Sequence, residues 1–481
     1  MVSTKNVSRR KVLGGVAGLI GSAAISPLRV LAQASYESKR PAPLARRFRS
    51  KAVDAAIAST ASRIRDSELA WLFSNCLPNT LDTTVSFTDG SVPDTVVVTG
   101  DIPAMWLRDS SAQVWPYLPF LNADANLARL IEGVIRRQTL CILADPYANA
   151  FMPDLSSREP LSWSKTDHTE MKPGVGERKW EVDSLCYPVR LAHEYWRITR
   201  DAKPFGTQWT RAMHAILDTF ETQQRKASRG PYSFQRQAFA PTDTLGGDGF
   251  GSPARGIGLI YSGFRPSDDA CVYPLNIPGN FFAVLTLQRI EEMLIGIASD
   301  SAEASRANRI GSEIKAALEA HAHVHHPEAG EIWAYEIDGF GNAICMDDAN
   351  VPSLLAMPYL GSCSATDPLY LATRRFVLSE ANPYFFRGSA AEGIGGPHIG
   401  QDMIWPMAII MRGLTSEDER EQLQCLAWLK KTHAGTGFMH ESFNKNNPAN
   451  FTREWFAWAN TLFGELILKL DKTNPKLLEM A

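Results

Sequence analysis

The sequence predicts an all-α domain in which antiparallel helix pairs follow one another around a ring or along a solenoid. Three observations carry that expectation. Apolar residues recur with a helical period through most of the chain, long stretches rich in Gly, Pro, Asp and aromatic residues separate the helices, and no composition shift or low-complexity linker divides residues 45–475. A helix begins roughly every 35 to 40 residues, without a repeated motif. One domain is therefore expected despite the length of 481 residues. Helix pairs closed into a ring would gather their loops at one end, where residues distant in sequence meet in one pocket.

The first 34 residues stand apart from that domain. Ser8-Arg9-Arg10-Lys11-Val12-Leu13 precedes an apolar Gly/Ala-rich run to Ile25, and Ala32-Gln33-Ala34 supplies a small-x-small cleavage pattern. This reads as a twin-arginine export signal over 1–34, followed by a single domain over 35–481. The alternative is an uncleaved N-terminal anchor. Because the run is short and rich in small residues, no stable membrane insertion is expected after cleavage, and the domain is expected in the periplasm or secreted.

Helical periodicity marks 53–73, 125–143, 183–199, 209–224, 280–297, 302–321, 351–358, 404–411, 416–432 and 452–469. Between them lie the loops 99–106, 240–266, 383–406 and 436–451. Residues 92–99, with Pro93 and Val96-Val97-Val98, read as the clearest strand, and 332–337 as a short second one.

A hydrophobic content of 44% can fill a large core, and a formal charge of −3 offers no basic field for nucleic acid. Twelve Trp, twelve Tyr and twenty-two Phe suit stacking on sugar faces, although most of them belong to the core. The seven cysteines, Cys76, Cys141, Cys186, Cys271, Cys345, Cys363 and Cys425, include no CxxC, and an odd number leaves at least one unpaired. Buried reduced thiols are the expectation.

The loops hold the chemistry. Gly437-Phe438-Met439-His440-Glu441-Ser442-Phe443-Asn444 and Arg265-Pro266-Ser267-Asp268-Asp269-Ala270 both place carboxylates among Gly, Pro, Ser and aromatic residues, away from any ordinary charged helix face. Two isolated carboxylate loops are what acid/base hydrolysis of a glycosidic bond requires. In 100–113, the Arg108-Asp109 pair beside Trp106 forms a candidate sugar clamp: Asp accepts from vicinal hydroxyls, Arg donates as a fork, and Trp covers the ring face. A structural Arg-Asp pair at a helix start is the competing reading. Trp180-Glu181-Val182-Asp183 precedes a helix, where Asp183 suits the N-cap and Glu181 is free to bind substrate. The run 393–402 is glycine-dense but lacks the GxxxxGK[ST] order, which excludes a phosphate loop; His398, Gln401 and Asp402 read better as a rim for a polyhydroxylated ligand. His321, His323, His325 and His326 near Glu328 and Glu331 raise a metal reading, but the segment fits a solvated turn, and no HExxH accompanies it.

Taken jointly, 100–110, 265–270, Ile277-Pro278-Gly279-Asn280, Gly396-Pro397-His398 and 439–443 resemble the glycoside hydrolase family 125 exo-α-1,6-mannosidases, in order, across 53–469. The resemblance implies an (α/α)6 barrel with long active-site loops and minor β elements, a pocket for one terminal mannose, and an inverting reaction without metal or other cofactor. It also implies Glu441 as general base and an Asp of the 268–269 pair as general acid, Asp268 being preferred to Asp269. Asp101, Trp106, Arg108 and Asp109 would contact the mannose, with His398 and Gln401 at the rim, while Phe438, His440 and Asn444 flank the base. Adjacent acids have a physical use, since an ionised neighbour raises the pKa of the other; an N-cap pair is the alternative. The expected partner is a mannose-containing glycan. Rival functions are another inverting helical-barrel hydrolase such as an α-glucosidase, a noncatalytic exported glycan-binding protein, and a metalloenzyme built on the histidine cluster.

Overall fold

The computed structural model describes residues 36–237 and 240–480; the export-signal expectation for 1–34 lies outside them. The chain forms helices α1 (Lys51–Ala61), α2 (Ser67–Cys76), α3 (Leu107–Val114), α4 (Ala125–Ala144), α5 (Val182–Thr199), α6 (Thr207–Gln223), α7 (Ile277–Met293), α8 (Ser301–His321), α9 (Met357–Leu360), α10 (Pro368–Val377), α11 (Pro406–Leu414), α12 (Glu419–Thr432) and α13 (Ala457–Thr473). From α2 onward they alternate between an outer and an inner layer. Of the inner helices, α3, α5, α7 and α9 pack in succession, and α13 packs against both α11 and α3, bringing the two ends of the chain together. Outside them α4 lies on α6, α6 on α8, and α12 on α2. This is the (α/α)6 arrangement.

Local chemistry sets the two layers apart. Every outer helix but α6, which follows Gly206, carries a side-chain cap: Asp66 accepts from Leu69 N–H, Asp124 from Leu127, Asp300 from Glu303, Asp367 from Tyr370 and Asp418 from Arg420. Five inner helices start without one, after Trp106, Glu181, Ala356, Trp405 and Phe456. Those N-termini share one end of the ring. Three small antiparallel sheets line the same end, and in each the strand pair is only two or three residues long. Trp106 pairs with Ala150 and Ala150 with Glu177; Asn276 pairs with Glu336; Ile404 pairs with Phe443 and Phe443 with Phe451.

Several expectations need correction. The stretch 53–73 is two helices, because Asp66 caps a new one in its middle. Of 351–358 only the end is helical: the Asp347 carboxylate takes the N–H groups of Leu354 and Leu355 at 2.8 and 2.9 Å, holding the preceding backbone in a loop. Helices α3 and α10 lie outside the periodic stretches. The strand expected over 92–99 is Asp94–Val97, paired with Val85–Thr88. His323–His326 pairs with Gly330–Trp333 in an exposed hairpin, where His323 and His325 both face Glu331. All seven cysteines are free thiols, five of them buried. No helix of the described residues is long and apolar enough to cross a membrane.

Two glycines permit the closest approaches. Gly279 lets α7 lie against α5, where a Cβ would stand 2.5 Å from Val182 Cγ1. Gly100, at φ +137°, bridges to Phe456 where the ends of the ring meet, and a Cβ there would lie 2.3 Å from the Trp455 carbonyl oxygen. Gly100→Ala is therefore expected to destabilise the protein by more than about 1 kcal/mol. A thermal melt coincident with wild type would refute this account of the closure.

Candidate active site

The inner-helix N-termini and the small sheets surround a cavity of about 390 Å³, within the usual range of small-molecule sites of about 300–1,000 Å³. Trp106, Arg108, Asp109, Asp268, Asp269, His398 and Glu441 all line it. The remaining sequence candidates lie around it. Glu181 is fully buried behind Arg108. Asp101 grips Arg453 at 2.5 Å, and Arg453 reaches Glu441 Oε1 at 3.4 Å. Gln401 is exposed in the turn after His398, outside the lining. Asn444 also lies outside it: its Oδ1 accepts the N–H groups of Asn446 and Asn447 and organises a turn.

Asp268 sits at the tip of a tight hairpin rather than at a helix cap. Phe264 bridges to Ala270, Arg265 N–H bonds the Asp269 carbonyl at 2.7 Å, and Asp268 itself adopts φ +66°. Such a left-handed non-glycine residue persists only where its surroundings dictate it. Here Arg265 forks onto Glu336 at 2.5 and 3.1 Å, Ser267 bonds Asp348 at 2.9 Å, and Lys179 Nζ donates to the Asp268 carbonyl at 2.8 Å.

On the other wall, Glu441 is 7% exposed at the start of the strand Ser442–Asn444. Its neighbours are pinned: Met439 N–H bonds Asn460 Oδ1 at 2.8 Å, and His440 stacks on Phe451 with ring centroids 3.7 Å apart. Burial lowers the His440 pKa, so this ring is a neutral packing element. Phe438 lies on the preceding turn, half-buried.

Charge is arranged in a continuous network. Arg108 meets Glu181 at 2.6 Å, Asp183 at 3.2 Å, Asp268 at 3.3 Å and Asp109 at 3.6 Å. Burial opposes the Arg108 charge, but these four carboxylates hold its pKa well above the ordinary value. Asp183, expected as an N-cap, lies inside the first turn of α5 and spends its carboxylate on Arg108; burial raises it to about 6. Burial likewise pushes Glu181 far up. Burial acts against the Asp268 carboxylate too, yet a hydrogen bond with Glu181, then Arg108, Lys179 and His398, hold it below the usual range. Within this network it is Glu181 that is pushed up, while Asp268 is held low.

Several lining residues carried no separate sequence signal. Lys179 is 3% exposed and pairs with Asp243 at 2.5 Å; Arg236 joins Asp167, Glu177 and Asp243; the Trp163 indole donates to Glu177 at 3.0 Å. The charge run Glu177-Arg178-Lys179, directly before Trp180-Glu181, was the available clue. Buried polar atoms on the cavity wall, Trp106 Nε1, Trp405 Nε1 and Asp269 Oδ2, take no partner among the described residues. Unpaired donors and an acceptor beside indole faces suit a ligand rich in hydroxyls.

His398 Nδ1 lies 3.5 Å from Asp269 Oδ1. Burial disfavours its charge, but Asp269, then Asp268 and Glu441, raise its pKa to about 9, from 6.5. The raised value means that the ion pair stabilises the fold fully below 6.5 and loses that contribution as pH climbs through 9. The gap in melting midpoint between wild type and His398→Gln should therefore be widest in acid and vanish above that window. A gap independent of pH would show that His398 does not carry this charge.

Comparison with known proteins fits this geometry. The family model described as "Metal-independent alpha-mannosidase (GH125)" matches residues 66–468. The meiotically up-regulated gene 157 protein of Schizosaccharomyces pombe (strain 972 / ATCC 24843) is 42% identical over 458 residues, covering 92% of this chain and 90% of its own. A Streptococcus pneumoniae metal-independent α-mannosidase, solved as a non-productive complex with α-1,6-mannobiose, superposes with a TM-score of 0.85 at 41% identity, covering 89% of this chain and all of that one. A helical ring, a hydroxyl-seeking cavity and a match over nearly the whole domain agree: the chain belongs to the GH125 metal-independent α-mannosidases.

Proposed function

We propose that this glycoside hydrolase removes terminal α-1,6-linked mannose from glycans or mannan fragments, with inversion at the anomeric carbon, after export through the twin-arginine route. The observation that carries the reading is the placement of Asp268 and Glu441 on separate elements around one cavity, each with its own cation, Arg108 and Arg453. Inversion needs one carboxyl to protonate the leaving oxygen and a second, across the sugar, to deprotonate water. Asp268 is the acid: its hairpin carries it into the cavity. Glu441 is the base, oriented by Arg453. The inner-helix N-termini close the floor, which suits attack at a chain end.

The α-1,6 linkage is supported by the mannobiose bound to the streptococcal relative. Trp106, Trp405 and Trp458 offer apolar faces to the ring, while Asp109, held by Thr99 at 2.7 Å, accepts from hydroxyls. Trp163, Thr242 and Asp243 lie on the side of the cavity toward the acid, where the departing sugar would rest. The export signal rests on Arg9-Arg10 and the following apolar run alone.

Proton NMR of the anomeric signals during hydrolysis of α-1,6-mannobiose, with a chelator present, tests the proposal. β-Mannose is expected first, and Glu441→Gln should lose roughly 10²–10⁴-fold in rate while still binding the disaccharide. Initial α-mannose would overturn inversion. No release at all would redirect the search to glucosides and to glycan binding without hydrolysis.

A further inference from the structure

Arg108 faces more negative charge than one guanidinium can balance. Glu181, Asp183, Asp268 and Asp109 converge on it, Glu181 is sealed from solvent, and the nearby cation Lys179 spends its ammonium on Asp243 and on the Asp268 carbonyl. Burying such an excess of carboxylate charge is prohibitive unless a proton neutralises part of it.

The hydrogen bonds say where that proton lies. Glu181 Oε2 accepts from Arg108 at 2.6 Å and from Ser184 at 2.8 Å. Glu181 Oε1 takes only the Asn149 amide, at 3.3 Å, and the same nitrogen lies 3.3 Å from Asp268 Oδ1. The two carboxyls thus meet at one amide and one guanidinium, Asn149 and Arg108, with nothing but these donors to keep two like charges together. Asp268 Oδ2 meets no donor among the described residues, and the Asp268 side chain is 23% exposed to the cavity, which Glu181 does not line.

We propose that Glu181 is a positioning residue that stores the proton for glycosidic cleavage and passes it from Oε1 to Asp268, which alone reaches the leaving oxygen. The inference rests on the assignment of Asp268 as acid. In the hand-over the Glu181 O–H bond breaks and an Asp268 O–H bond forms. Asp268 then releases that proton to the glycosidic oxygen, which keeps the electron pair of the broken C–O bond. The water oxygen bonds the anomeric carbon and its proton passes to Glu441. The pair regains a proton from solvent as Glu441 loses one.

The surroundings favour storage on Glu181. Burial and then the Asp268 and Asp183 charges push Glu181 up against the pull of Arg108. Glu177 shares the Asn149 amide, and Tyr232 and Cys271 face Glu181 as neutral groups. Asp268, beside Arg108, Lys179 and His398, is the better carboxylate despite burial and the nearby Asp109.

The test compares α-1,6-mannobiose, whose leaving alcohol needs a proton, with 2,4-dinitrophenyl α-mannoside, whose leaving group does not. Glu181→Gln should lose about 10²-fold or more in kcat/KM on mannobiose and only a few-fold on the aryl mannoside. The basic limb of the mannobiose pH profile should move to lower pH, because Asp268 then titrates beside its cations with no reserve. Glu181→Asp should return the limb toward wild type. Equal losses on both substrates with an unmoved limb, or an Asp variant no better than Gln, would leave Glu181 as scaffold and overturn the proposal. Asp268→Asn separates the two levels. If it is inactive on mannobiose and active on the aryl mannoside, the acid assignment stands whatever Glu181 does; if it still cleaves mannobiose, both readings fall.

Discussion

One buried guanidinium joins the parts of the chain that carry the chemistry. Arg108 belongs to the first turn of α3, Glu181 and Asp183 open α5, and Asp268 arrives on a hairpin about 160 residues after Arg108. With the cation removed, three elements that now converge would repel one another in a low-dielectric site. Breaking such a buried network by deleting one partner typically costs about 3–5 kcal/mol, although replacing it whole with apolar residues need not. The network is therefore better understood as fixing geometry than as adding stability. Every distance at the acid side of the cavity depends on it.

The helical ring reinforces the same site from below. Five of its six inner helices begin at the cavity end without a side-chain cap, so their first N–H groups and positive dipole ends are directed there. A full set of caps would satisfy these groups and neutralise the field. Of the six outer helices, which have no site to serve, five are capped, by Asp66, Asp124, Asp300, Asp367 and Asp418. The difference explains how so many carboxylates gather at one mouth of the barrel. It also explains why small sheets intervene: a two-residue strand pair lets Trp106 or Asn276 enter a helix directly from an extended, hydrogen-bonded backbone.

Much of the ring was legible because an amphipathic helix must repeat its apolar residues along one face. α4, α6 and α8 announce themselves in this way. α3 does not, because all eight of its residues are buried, Arg108, Asp109 and Gln113 among them, and polar burial at a site erases the pattern. The 351–358 stretch misled for the opposite reason: it is apolar, but Asp347 holds its backbone. Asp268 and Glu441 stood out because an acid among Gly, Pro and aromatic residues has no routine structural use. Asn149 and Arg453 were invisible, since their importance lies in partners far along the chain, and local composition records no such pairing. The proton shared by Glu181 and Asp268 is a property of three-dimensional proximity alone.

Pairing also limits what the cavity accepts. Its charges are already matched internally: Arg108 with four carboxylates, Arg453 with Asp101 and Glu441, Lys179 with Asp243, and His398 with Asp269. A charged ligand would have to displace one of these partners and leave the other buried alone. Among the buried wall atoms left unpaired are two indole N–H donors, of Trp106 and Trp405, and the Asp269 Oδ2 acceptor. A sugar supplies hydroxyls that both donate and accept, together with an apolar C–H face, and so completes the wall without disturbing any ion pair. Recognition by these leftover donors and acceptors leaves the ion pairs intact on binding. Asp268 and Glu441 thus keep their separate cations, Arg108 and Arg453, as a sugar binds.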